Sequence, residues 1–113
     1  MRVTHYSFGE ITIDGKTFTS DVIIYPARVD SSWWRKEGHS LCISDLSEVI
    51  KAKPDILIVG TGHSGAMDVP QETLSHLESQ GITVRVAKTG EAVELLNTLG
   101  RDKKTIAALH LTC

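Results

Sequence analysis

The chain has 113 residues, of which 41% are hydrophobic and 23% are charged. This length is typical of one domain with a single core, and we expect residues 1–113 to form one domain. Twelve basic and fourteen acidic residues give a formal net charge of −2. Because no dense basic segment is present, the composition argues against binding to nucleic acid or to anionic membranes.

The expected cellular location follows from what the sequence does not contain. Its longest strongly apolar run, residues 56–59, is far shorter than the roughly 20 residues of a membrane-spanning helix. The N-terminus has no apolar region typical of a signal peptide. Cys42 and Cys113 form no C-x-x-C pair, which favours a reducing compartment over a disulfide scaffold. We therefore predict a cytoplasmic protein.

The first quarter of the chain has the pattern of β-strands. Two short β-prone runs, residues 10–13 and 16–19, flank Asp14-Gly15, a dipeptide suited to the tight turn of a hairpin. A third run, residues 21–25, is rich in β-branched side chains and stops at Pro26, which cannot donate a ladder hydrogen bond. The N-terminal part therefore predicts a hairpin and a further strand.

Residues 26–42 show no periodicity and are longer than an ordinary connection. The segment carries Trp33, Trp34, Arg35 and His39. Tryptophan and arginine are enriched at protein interfaces, so Trp33 and Trp34 are interface candidates, with burial in the core as the alternative. Arg35 and His39 are candidates for completing a ligand pocket.

The second half alternates between helices and strands. A helix capped by Ser44 is predicted to end before Pro54, and Gly100 is predicted to end the last helix. The predicted elements are strand 56–59, helix 70–79, strand 82–86, helix 91–99 and strand 105–109. Strands joined through helices normally pair in parallel, so this half predicts a parallel sheet.

The strand at 56–59 leads into a glycine loop, Gly60-Thr61-Gly62-His63-Ser64-Gly65. The glycine spacing matches the dinucleotide fingerprint, and the residues around Ser64 imitate a nucleophile elbow. A dinucleotide site is disfavoured because the next helix starts late, near Pro70, and because the following strand does not end in an acidic residue. A hydrolase is disfavoured because Ser64 lies five residues beyond Val59 and the chain is short. We predict no catalytic residue and no cofactor.

The same loop has two further interpretations. In the structural one, the glycines allow a sharp turn, and Thr61, His63 and Ser64 satisfy loop amides. In the other, the loop binds an anion or a polar ligand at the carboxyl end of the sheet, where open α/β folds place their sites. The ligand-binding candidates are Gly60, Thr61, Gly62, His63, Ser64 and Gly65, together with Arg35 and His39.

Two H-x-x-C pairs raise the question of a zinc site. They are His39 with Cys42 and His110 with Cys113. Their spacing is not that of structural zinc, and side chains three apart on a strand face opposite ways. We predict no metal, with Cys42 packing as a small apolar residue.

The chain as a whole resembles a family of small archaeal and bacterial domains of unknown function. This family shares its fold with a mammalian adipogenesis-associated domain protein and with a mitochondrial respiratory complex I assembly factor. The resembling residues are Ile13-Asp14-Gly15, Pro26, Trp34-Arg35, Gly38-His39, Pro54-Asp55, 57–62, Val69-Pro70, 81–84, Thr89, 91–93, Asn97 and 107–113. The resemblance implies a three-layer α/β domain. Its mixed central sheet would have about five strands, one antiparallel to the rest, and the N-terminal hairpin would add a β layer.

The resemblance implies no established activity, cofactor or catalytic residue. We favour a non-catalytic binding or assembly module that contacts a protein partner through the segment from Trp33 to His39 and through the glycine loop. The alternative is a protein that binds a small molecule or anion, with an enzyme as one form of it. The sequence does not indicate the oligomeric state.

Overall fold

The computed structural model describes residues 2–99 and 104–112, which form two β-sheets and three α-helices. A three-stranded antiparallel sheet has the order β1-β2-β3, and a five-stranded sheet has the order β5-β4-β8-β6-β7. The strands are β1 Val3–Ser7, β2 Glu10–Ile13, β3 Lys16–Phe18, β4 Val22–Ile24, β5 Val29–Asp30, β6 Ile56–Thr61, β7 Thr83–Ala87 and β8 Thr105–His110. The helices are α1 Ser47–Ala52, α2 Gln71–Ser79 and α3 Thr89–Leu99.

The five-stranded sheet confirms the predicted mixed topology. Strands β7, β6 and β8 run parallel to one another, and β4 pairs antiparallel with β8. Because β5 pairs antiparallel with β4, β4 is the strand that opposes the other four. The three parallel strands are the ones that the alternating pattern predicts, and each is preceded by a helix.

The residues of the central strands alternate between two apolar clusters, one on each face of the sheet. The first cluster contains Leu57 and Val59 and packs against α1 and α2. The second contains Ile56 and Ile58 and packs against α3 and the small sheet. These are the three layers that the resemblance implies.

The small sheet extends the predicted hairpin by one strand. Asp14 and Gly15 both have positive φ, 49° and 82°, as the tight turn requires. The added strand β1 was not predicted, because only its first residue, Val3, is buried and its pairing with β2 is irregular after Val3. Strand β5 was also missed, since two residues are too few to show a pattern.

The first helix begins differently from the prediction. Residues Ile43–Leu46 form a 3-10 helix before α1, so Ser44 lies inside the turn and is not the cap. The Asp45 carboxylate accepts hydrogen bonds from the backbone N–H groups of Cys42 and Lys36, at 2.9 and 3.0 Å. These bonds hold the chain in the tighter turn. The predicted helix end at Gly100 lies outside the described residues.

A search of the helices in the described ranges finds none with the length and apolarity that a bilayer crossing needs.

Candidate functional site

Three polar side chains meet at the carboxyl end of β8. Asp21 precedes β4, and the antiparallel register of β4 with β8 places it beside His110. Its Oδ2 lies 2.6 Å from Arg35 Nη1 and 2.8 Å from His110 Nδ1, and its Oδ1 accepts a hydrogen bond from Leu111 N at 2.8 Å. The side chains of Arg35 and His110 are only 7% and 6% exposed. The group is therefore a buried ionic network, not a surface salt bridge.

The proton on His110 can be assigned from its neighbours. Nδ1 faces both Asp21 Oδ2 and, at 3.0 Å, Arg35 Nη2. A carboxylate accepts from an N–H, whereas a guanidinium can only donate, so we assign the Nδ1 proton to the bond with Asp21. The other ring nitrogen, Nε2, is buried without a partner among residues 2–99 and 104–112.

The pKa of Asp21 reflects two opposing effects. Burial alone raises the pKa of this carboxyl. The hydrogen bonds from Leu111 N, His110 and Arg35 favour the charged form and outweigh burial, so the pKa lies below its ordinary value. Asp21 is therefore an anion at neutral pH, and its charge balances that of the buried Arg35.

The two tryptophans lie in different environments. Trp33 belongs to the first apolar cluster, and its indole N–H donates to Asp45 O at 3.0 Å. Arg35 lies over its ring, with 4.9 Å from the guanidinium carbon to the ring centroid. Trp34 is 75% exposed. Of the two interface candidates, Trp33 is therefore a core residue and Trp34 is available at the surface.

The backbone of the glycine loop is largely bonded within the protein. Gly62 N donates to Thr89 Oγ1, and His63 N donates to Thr112 O at 2.6 Å. Gly65 N donates to Gly62 O, and the side chain of Thr61 donates to Ala87 O. These groups are occupied by the fold, so a ligand at this loop would have to contact side chains more than backbone amides.

The first glycine of the loop has a packing role. A Cβ on Gly60 would lie 2.8 Å from both Leu109 Cδ2 and Thr89 Oγ1, closer than atoms can pack. Gly60 therefore allows the start of α3 to approach the central sheet. The hydroxyl of Thr89, which is fully buried, completes the junction by donating to His110 O at 2.5 Å.

His39 lies where the irregular segment crosses the exit of the glycine loop. Its carbonyl accepts a hydrogen bond from Asp68 N at 2.7 Å, and Leu41 N donates to Asp68 O at 2.9 Å. Its ring is edge-on to that of His110, with 6.1 Å between centroids. The fold thus brings Arg35, His39 and the loop to one end of the sheet, whereas the cavity that His63 lines contains neither Arg35 nor His39. For the zinc hypothesis, no three potential ligands cluster among the described residues, and Cys113 lies outside them.

A cavity of about 330 Å³ lies on the other side of the loop. It is lined by Tyr6, His63, Lys88, Gly90, Glu91 and Glu94. His63 is the loop residue that faces it, between the rings of Tyr6 and Phe8. The cavity carries basic and acidic side chains together, so its charge does not select for a simple anion. Ser64 is exposed on the same loop.

The comparisons with known proteins agree with this architecture. The family model "Protein of unknown function (DUF498/DUF598)" matches residues 3–110. The chain belongs to the DUF498 family. Its structure is similar to that of the conserved hypothetical protein PH1505 from Pyrococcus horikoshii OT3, with 31% identity, a TM-score of 0.86 and coverage of 100% of both chains.

Two more distant structures share the fold of this DUF498 member. One is an outer membrane protein from Bartonella henselae, with 22% identity and a TM-score of 0.82 over 98% of this chain and 94% of that one. The other is a Mth938-like domain protein from Bordetella pertussis, with 20% identity and a TM-score of 0.77 over 97% of this chain and 85% of that one. The family and the fold of the predicted resemblance are confirmed.

Two residues that organise this end of the DUF498 domain were missed as site residues in the sequence. Asp21 was part of a predicted strand, and the only signal for its role is an acidic residue directly before a fully buried apolar run. Thr89 is one of the residues that carry the family resemblance, but it was not predicted as a site residue. Its role depends on the close approach at Gly60, which a linear sequence does not show.

Proposed function

We propose that this protein is a non-catalytic binding module that contacts a protein partner through Trp34. The observation that carries the proposal is the contrast between Trp34, which is 75% exposed, and its two neighbours, which are buried. Exposed tryptophans supply much of the affinity of protein interfaces when they insert into a partner's pocket.

The surroundings of Trp34 support this role. Trp33 is anchored by its indole hydrogen bond to Asp45 O, and Arg35 is bonded to Asp21 and to Gly38 O. The backbone on either side of Trp34 is therefore fixed before a partner arrives, which lowers the ordering cost of binding. Within the described part of the chain, the Trp34 side chain makes no hydrogen bond or ring contact that binding would have to break.

The partner we propose is a protein with an apolar pocket of the size of an indole ring. We place the interaction in the cytoplasm, where the free thiol of Cys42 would stay reduced.

A photo-crosslinking phenylalanine analogue at the exposed Lys36, which leaves Trp34 in place, first captures the partner. The affinity of the purified partner is then compared for the wild type, Trp34→Ala and Phe8→Ala. Phe8 is the matched control because it is also a large exposed apolar residue, at 58% exposure. We expect one crosslinked partner whose affinity for the purified protein falls at least about 30-fold in Trp34→Ala, the loss typical of an interface hot spot. Phe8→Ala should bind like the wild type, and both variants should keep the wild-type melting temperature. Equal binding by Trp34→Ala and the wild type would overturn the proposal.

A second candidate function is binding of a small polar molecule in the cavity beside the glycine loop. It is favoured by the presence of His63 and Lys88 together with Glu91 and Glu94 in the lining of one cavity. A molecule with both a positive and a negative group suits this lining better than a simple anion does. Titration with inorganic phosphate and with glycine, followed by NMR of the His63 ring, distinguishes a simple anion from a molecule with both charges. We expect glycine, the zwitterion, to shift the His63 signals and phosphate to leave them unchanged. The absence of a shift with either compound would exclude this function.

A further inference from the structure

Strand β7 forms an outer edge of the central sheet. Strand β7 pairs with β6 alone within residues 2–99 and 104–112. Thr83 N donates to Asp55 O at 3.0 Å, on the β6 side. Because successive residues of a strand direct their backbone groups to opposite sides, Arg85 also faces β6, and Val84 and Val86 face outward. Their N–H and C=O groups are the ones available for a new strand.

This edge is longer and more regular than the opposite edge of the sheet. The opposite edge ends in β5, which has only two residues. In contrast, β7 has five residues, contains no proline, and pairs with β6 in an unbroken register. Short or interrupted edge strands protect a sheet from unwanted pairing, whereas a regular one is a template for it. Val86 is one of the large apolar residues at the surface, at 45% exposure.

The surface beside the strand carries charges of both signs. A groove of about 520 Å³ between β7 and α3 is lined by Arg85, Leu95 and Leu99, with Glu91 and Glu94 at the helix. None of these three charged side chains forms an ion pair with another part of the described chain. A surface with one unpaired cation and two unpaired anions is complementary to a second copy of itself.

We propose that β7 is a homodimer interface in which two copies pair their β7 strands antiparallel, with the two-fold axis at Val86. The two central sheets then join into one continuous sheet, and the backbone groups of Val86 bond to those of Val86 in the second copy. In this register Arg85 lies opposite the second copy's Ala87. It therefore avoids the like charge of the other Arg85 and comes beside the second copy's α3, which carries Glu91 and Glu94.

The expected strength follows from the length of the contact. In this register residues 85–87 of β7 lie opposite the same residues of the second copy over about 10 Å, and α3 runs beside the strand for about 16 Å. Such a strip is at the lower end of the size of specific interfaces, so we expect a dissociation constant in the micromolar range. The surface is separate from Trp34, which follows β5 at the other edge of the sheet. The dimer proposal and the proposed function at Trp34 are therefore independent, and the absence of a dimer would not contradict partner binding through Trp34.

The first test is sedimentation equilibrium of the wild type from about 1 μM to about 500 μM, a range that brackets micromolar affinity. We expect a monomer–dimer equilibrium that Val86→Lys weakens at least tenfold, since two ammonium groups would meet at the axis. Phe8→Lys makes the same change at another exposed apolar position and should dimerise like the wild type. Melting temperatures measured at low concentration should agree for all three. A wild type that stays monomeric over the whole range overturns the proposal.

The second test reads the register directly. In a background with Cys42→Ser and Cys113→Ser, mild oxidation of Val86→Cys should give a disulfide-linked dimer. Hydrogen-bonded antiparallel partners have Cα atoms about 5.5 Å apart, within the range of a disulfide. Thr83→Cys is the control, because in this register the two Thr83 positions are about 20 Å apart. Crosslinking of Thr83→Cys as readily as Val86→Cys, or of neither, shows that the proposed pairing is wrong.

Discussion

At the scale of single residues, Asp21 holds the carboxyl end of the sheet together. Its carboxylate binds a side chain on the irregular segment, Arg35, a side chain on β8, His110, and the backbone of Leu111. A buried guanidinium without its anion is strongly destabilising, because the charge is then removed from water without compensation. Asp21 therefore matters more to the stability of this region than a surface carboxylate would.

This role predicts how stability depends on pH. The pKa of Asp21 is lower in the folded protein than in the unfolded chain, so the ionised carboxylate stabilises the fold. The sign follows: this stability is fully present above the unfolded pKa of about 4 and is lost as pH falls through the lower, folded value. We expect Asp21→Asn to lower the free energy of unfolding by about 3 kcal/mol at neutral pH and to flatten its decline below about pH 4. Urea denaturation at a series of pH values measures both effects.

The control for this prediction is Asp68→Asn. Asp68 is exposed, and its side chain makes no hydrogen bond to another described residue. The variant should therefore unfold like the wild type at neutral pH. If Asp21→Asn and Asp68→Asn lower the free energy of unfolding equally at neutral pH, the network around Asp21 does not stabilise the fold.

At the scale of secondary-structure elements, Thr89 joins three of them. It lies at the start of α3, accepts a hydrogen bond from Gly62 after β6, and donates one to His110 at the end of β8. Thr89→Val keeps the shape of the side chain but leaves a buried N–H and a buried C=O unpaired. We expect this variant to lower the free energy of unfolding by about 2 kcal/mol, measured by chemical denaturation. We also expect faster hydrogen exchange of the Gly62 amide, measured by NMR.

Thr89→Ser provides the matched variant, because it keeps the hydroxyl and removes only a methyl group. It should preserve the slow exchange of Gly62 even where it lowers overall stability. If the Gly62 amide exchanges equally fast in Thr89→Ser and in Thr89→Val, the Thr89 hydroxyl is not the group that protects this amide.

The elements that the sequence predicts well are those with a long, repeated pattern. The parallel strands β6, β7 and β8 are within one or two residues of the predicted ranges, because each follows a helix-like segment and two of them are largely continuous apolar runs. Strands β1 and β5 were missed, since β1 buries only its first residue and β5 is two residues long. Their pairing depends on neighbours that lie far away in the sequence, which local patterns do not reveal.

The candidate site was predictable only in part. The glycine loop and Arg35 are visible as unusual residues in the sequence, and the fold brings them to the same end of the sheet. Which tryptophan is buried depends on contacts of Trp33 with Asp45 and Arg35. The pairing of Asp21 with His110 spans 89 positions and follows from the antiparallel placement of β4 beside β8. No local spacing carries this information.

At the scale of the whole molecule, the two apolar clusters share one sheet. Each central strand gives alternate residues to the two faces, so Leu57 packs with α1 and α2 while Ile58 packs with α3 and the small sheet. Loss of packing on one face therefore removes support from the strands that form the other face. Two clusters joined in this way should unfold as one cooperative unit, as small single domains usually do.

Replacement of Ile11 tests this cooperativity from one side of the sheet to the other. Ile11 is fully buried in the small sheet and belongs to the second cluster, while Trp33 belongs to the first. In a Trp34→Phe background, Trp33 is the remaining tryptophan and its fluorescence reports on the first cluster. We expect Ile11→Ala to cost about 3 kcal/mol, typical of a buried aliphatic truncation.

The informative comparison is between two probes of the same denaturant titration. If the domain is one unit, Trp33 fluorescence and far-ultraviolet circular dichroism should shift to the same lower midpoint in Ile11→Ala. Thr4→Ala, an exposed change in the same small sheet, should move neither probe. A dichroism midpoint that falls while Trp33 fluorescence keeps its wild-type midpoint would mean that the small sheet unfolds separately. The stability of the first apolar cluster would then not depend on the packing of Ile11 in the second. Sharing the strands of one sheet would not be enough to make the two clusters unfold together.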